Sequence, residues 1–114
     1  MATIRELVKI RQDECRNVDI LTPQRASEIL VELSALLGNC NEEILKRDIE
    51  FNKYLMECYQ KETKVNRAKI MAEVSPEYEA KQVARNVKEL VIELIRSLKY
   101  FLKNKAEELE HINY

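Results

Sequence analysis

One glycine, two prolines and no tryptophan in 114 residues leave this chain little from which to build tight turns or a β-rich domain. A phosphate-cradling loop needs several glycines in a short span; Gly38 alone excludes one. The single histidine, His111, lies three residues from the end. There it cannot be held within hydrogen-bond reach of a nucleophile, so no catalytic residue is expected and the chain reads as a non-enzyme. Cys15, Cys40 and Cys58 are odd in number, form no C-x-x-C pair and follow no secretory signal. That pattern suits reduced thiols in a cytoplasmic protein rather than a disulfide framework or a zinc site, and no metal or cofactor is expected. No uninterrupted apolar run exceeds the length of Leu90–Ile92, far below the ~20 residues that span a bilayer. Neither charge is in surplus: Lys+Arg of 19 against Asp+Glu of 20 gives −1 at pH 7. Any attraction to nucleic acid must therefore come from local clustering.

What is present is helix-forming material. With 46% hydrophobic and 34% charged residues, the chain predicts an all-α fold, a single helical domain over 1–114. Thr3 and Glu6 form a capping-box pattern ahead of a helix over about 4–17. Thr22-Pro23 starts a second, whose seam is Ala26, Ile29, Leu30, Leu33, Leu36 and Leu37, with Gly38 as the expected left-handed stop. Asn39-Cys40-Asn41 then reads as a connector, and Asn41 as the cap of a helix continuing to about Val74. That helix carries Ile44, Phe51, Tyr54, Leu55 and Cys58 on one side and Leu45, Ile49 and Met56 on another, so it reads as sandwiched. Ser75-Pro76-Glu77 opens the last helix, which should reach about Leu109, with the last four residues fraying. The expected arrangement is an N-terminal helix pair over 1–38 packed on a long antiparallel helical hairpin over 41–110.

The last helix presents two faces. Ala80, Val83, Ala84, Val87, Leu90, Val91, Leu94, Leu98, Phe101 and Leu102 share an apolar side, and Ile92 and Ile95 widen it beyond the needs of a small monomeric bundle. Self-association is the expectation. Beside it runs a basic stripe of Lys81, Arg85, Lys88, Arg96, Lys99 and Lys103. A second basic cluster, Lys61, Lys64, Arg67 and Lys69, lies near the tip of the expected hairpin, where only Val65 and Ala68 offer apolar anchorage. Rows of cations on one rigid face suit the phosphates of a nucleic acid strand, and Tyr59, Tyr78 and Tyr100 are the aromatics placed to stack on bases. The same stripe also suits pairing with acidic flanks of neighbouring helices. Glu42, Glu43, Asp48 and Glu50 resemble the clustered carboxylates of all-helical Mg²⁺-dependent nucleotide pyrophosphatases. Such sites need carboxylates converging from two helices, and Glu89 and Glu93 on the last helix sit away from its apolar face.

The step Arg67-Ala68-Lys69-Ile70, on a helix leading into a turn, resembles the DNA-contacting helix of the recombination mediator proteins of tailed phages. By residue the correspondence is Arg67 and Lys69; by pattern it extends over about residues 60 to 110. The resemblance implies a small helical subunit that binds single-stranded DNA, forms a homo-oligomer and helps load a recombinase. It also implies a C-terminal helix that drives assembly, here through Val87, Val91, Ile92, Ile95, Leu98 and Leu102. A different class of function stays open: a phage-encoded inhibitor or adaptor that docks its last helix or basic tip on a host protein. Neither reading involves a membrane.

Overall fold

The computed structural model describes residues 2–112, with the backbone alone for His111 and Ile112. All regular structure among the described residues is α-helical: α1 (Ile4–Cys15), α2 (Pro23–Lys61), α3 (Val65–Glu73) and α4 (Pro76–Ile112). The chain divides into two compact units, residues 1–39 with 89–114, and residues 40–88.

In the first unit the capping box before α1 forms as the spacing predicts. Thr3 Oγ1 accepts from the Glu6 amide at 3.2 Å, and the Glu6 carboxylate accepts from the Thr3 amide at 3.1 Å. Thr22 likewise caps α2, its hydroxyl accepting from the Arg25 amide at 3.1 Å. Val8, Ala26, Ile29, Leu33, Val91 and Leu98 are buried, each drawn from the apolar stripe of its helix. Above them lies a polar clamp. Arg25 grips Glu14 with two donors, Nε to Oε1 at 2.6 Å and Nη2 to Oε2 at 3.2 Å, while Arg11 reaches Glu32 at 2.6 Å. The Arg25 hydrogen bonds hold the Glu14 carboxyl below its ordinary range.

The second unit is built on Phe51, Cys58, Ala68 and Ala72, with Tyr54, Leu55, Tyr59 and Tyr78 packed around them. Phe51 meets Tyr78 with ring centroids 5.5 Å apart, and Lys81 Nζ stands 4.5 Å over the same Phe51 ring. Asp48 and Arg85 pair at 3.5 Å. Higher positions on α2 thus meet lower ones on α4, so the two helices run antiparallel in this unit.

Two expected boundaries fail. Gly38 does not stop a helix: α2 passes through it and through Asn39-Cys40-Asn41, and no glycine has positive φ among the described residues. The reason is a packing face that continues across the glycine. Leu33, Cys40, Phe51 and Cys58, all buried, recur at helical spacing, and that burial outweighs the ~1 kcal/mol glycine costs in a helix interior. Conversely, the helix expected to reach Val74 breaks after Lys61, and Lys64 is extended, with φ −92° and ψ 116°. Lys61-Glu62-Thr63-Lys64 offers no apolar side chain to hold a further turn. Turning there brings Ala68 and Ala72 to complete burial against the aromatic cluster. This segment, expected to pack lightly, is instead anchored by its two small residues. Ser75 completes the structure as predicted: its hydroxyl donates to the Ala72 carbonyl and accepts from the Tyr78 amide, tying the end of α3 to the start of α4. The last helix runs to Ile112, past the end expected near Leu109, while Asn113 and Tyr114, among the four residues expected to fray, lie outside the described residues.

Candidate nucleic-acid interface

The basic stripe of α4 divides in two by what surrounds it. Lys81 is committed to the Phe51 ring, Arg85 to Asp48, and Lys88 is half-buried, its charge acting on the buried Cys40 thiol. Burial still dominates at Cys40 and pushes that thiol up from its ordinary value. These three cations serve the fold of the second unit.

Arg96, Lys99 and Lys103 differ. All three are exposed, and none belongs to the ion pairs found among the described residues, which join arginines 11, 16, 25, 47 and 85 and Lys105 to their carboxylates. At ~100° and 1.5 Å per residue they span an arc of about 60° and a rise of roughly 10 Å. Tyr100 extends that arc and is 68% exposed. The result is one face with three cations outside the ion pairs found among the described residues and one exposed aromatic ring. Exposed Glu93 and Glu107 bound it at either end.

The α3 cluster is less convergent. Lys61, Lys64, Arg67 and Lys69 are all exposed and absent from those ion pairs. Arg67 and Lys69, however, flank the fully buried Ala68, one about 100° to each side. They point away from each other and cannot grip one phosphate together. The side that carries Arg67 also carries Ile70, Met71 and Val74, 60%, 40% and 79% exposed. Of the three tyrosines expected to stack, Tyr78 is engaged with Phe51 and accepts from Gln82 Nε2 at 2.8 Å, Tyr59 is half-buried, and Tyr100 is open. Alternation alone could not reveal this inversion of α3, with alanines inward and large aliphatics outward. The signal was the pair Ala68 and Ala72, four apart, which allows a close approach.

Val87, Val91 and Leu98 are buried within the chain, whereas Ile92, Ile95 and Leu102 are half-buried. Among the acids, Glu43 and Glu50 both close on Arg47, at 2.8 and 3.0 Å, and Asp48 faces Arg85. Among the described residues no three His, Cys, Asp or Glu side chains are placed to hold a metal ion. The side chain of His111 lies outside the described residues. No helix among those residues is long and apolar enough to cross a membrane. Comparison with family models, curated proteins and solved structures finds no match for this chain.

Proposed function

We propose that this chain is a non-catalytic, self-associating accessory protein that binds single-stranded nucleic acid, in the manner of the phage recombination mediators it resembles. The observation that carries the reading is the α4 face on which Arg96, Lys99 and Lys103, outside the ion pairs found among the described residues, lie beside the exposed ring of Tyr100. Cations in a row release counterions from a phosphate backbone. An aromatic ring among them gains only if the bases are unpaired and free to stack, which favours a single strand over a duplex. Three phosphate contacts on a single strand give a salt slope near −2, so binding should weaken about twentyfold between ~50 and ~200 mM salt. The test is fluorescence anisotropy with labelled single-stranded DNA. The triple variant Arg96→Ala, Lys99→Ala, Lys103→Ala is expected to abolish most of that salt dependence, and unchanged binding by it would end the reading.

A second reading rests on α3. Ile70, Met71 and Val74 beside Arg67 make an apolar strip with a basic edge, which a phosphate backbone does not need and a protein partner does. On this reading the chain is an adaptor or inhibitor that docks α3 on a recombinase or a host protein. Recovery of a stoichiometric protein after nuclease treatment, lost on Ile70→Glu with Val74→Glu, supports it.

A further inference from the structure

Charge along the Tyr100 face of α4 comes in blocks. Residues 94–106 hold no acid and form the longest such run in the chain. On the same side of the helix, Glu89 and Glu93 precede that run and Glu107 and Glu110 follow it, all four exposed and outside the ion pairs found among the described residues. At ~100° per residue, Glu89, Glu93 and Glu107 lie within about 20° of Tyr100, and Glu110 lies level with the cations. Around the circumference the setting differs. Ser97 and Asn104 flank the window beyond Tyr100, Ile95 and Ala106 flank it beyond Lys99, and none of them is charged. Glu108, farther round, is paired with Lys105 at 3.4 Å. The window is closed by acids at its ends and open at its sides.

We infer that the strand crosses α4 rather than running along it, each chain holding a short unpaired stretch of about four nucleotides. The inference rests on the proposed strand-binding role and deepens it by naming the length and direction of the ligand. Arg96 to Lys103 rise roughly 10 Å, room for about three phosphates at the ~3.4 Å axial spacing of a stacked strand. A longer strand laid along the helix brings its next phosphates over Glu93 and Glu89 at one end and over Glu107 and Glu110 at the other. The nearer acid of each pair stands roughly 5–6 Å beyond the outermost cation, well inside the ~10 Å over which charges act at ~0.1 M salt. Running along the helix therefore adds repulsion with every further phosphate. A strand that crosses leaves over neutral side chains and keeps all three cations. Tyr100, between Lys99 and Lys103, then stacks on one base rather than on a run of them.

The experiment is fluorescence anisotropy at ~50 mM salt with labelled oligothymidylates of about four and about twelve nucleotides. It compares the native full chain with the variant Glu89→Gln, Glu93→Gln, Glu107→Gln, Glu110→Gln, helix content being read by circular dichroism. Comparing each strand with itself cancels the greater number of places a longer strand offers. Neutral ends open the axial path, so the longer strand should gain at least about threefold more affinity from the substitutions than the shorter one. The pair Glu107→Gln, Glu110→Gln opens one end only and should give an intermediate difference, which keeps the test readable where the fourfold variant fails to fold. Equal gains at both lengths, or no gain at either, overturn the crossing geometry and leave the strand-binding role standing. No binding of either strand by the native chain overturns both.

Discussion

Tyr100 tests the site at the scale of one side chain. At 68% exposed it contributes little to packing, so Tyr100→Ala should leave thermal stability within about 0.5 kcal/mol and weaken single-strand binding by about 1–3 kcal/mol if a base stacks there. Anisotropy and a melting curve on the same sample check both halves. Ile29 and Leu33, fully buried, set the contrast: Leu33→Ala should cost roughly 2–5 kcal/mol by denaturant titration. Glu14 gives the fold a pH dependence. Its hydrogen bonds from Arg25 depress its folded pKa, so the stability it contributes is present above its unfolded pKa and is lost as pH falls through the depressed folded value. Comparing native chain and Glu14→Gln by melting temperature at neutral and acid pH should show their difference shrinking in acid; a constant difference contradicts this role for the clamp.

At the scale of elements, the caps were legible and the continuity was not. Thr3, Thr22 and Ser75 each announce a helix start by a hydroxyl followed by an acid or a proline, and each makes the hydrogen bond its spacing predicts. Gly38 misled because a glycine is read locally, while the face joining Leu33 to Cys40 and Phe51 is held by tertiary burial. The cost of that continuity should be recoverable. A Cβ on Gly38 would have nothing within 4 Å and φ there is not positive, so Gly38→Ala should stabilise the chain by about 0.5–1 kcal/mol. Destabilisation by that substitution would contradict an uninterrupted α2. The break at Lys61 was hidden for the opposite reason: no glycine or proline marks it, and its cause lies in Ala68 and Ala72 reaching the aromatic cluster. Ala68→Leu should therefore overpack that contact and cost about 1–3 kcal/mol.

For the whole molecule, composition revealed the all-α class, because one glycine and two prolines among many Leu, Glu and Lys leave few alternatives. The stripe on α4 was legible as a line of six cations, but not as two groups with different duties. Only the fold shows that Lys81, Arg85 and Lys88 are occupied and that Arg96, Lys99 and Lys103 are free of the ion pairs among the described residues. A protein of net charge −1 is not expected to bind polyanions by bulk attraction, so strand binding would have to be local to that face. The most direct test is a gel shift with labelled single-stranded DNA beside a duplex of equal length, at ~50 and ~200 mM salt. We expect the single strand to be bound in preference, with affinity falling about twentyfold across that range. No binding at low salt, or equal binding of strand and duplex, would contradict the account.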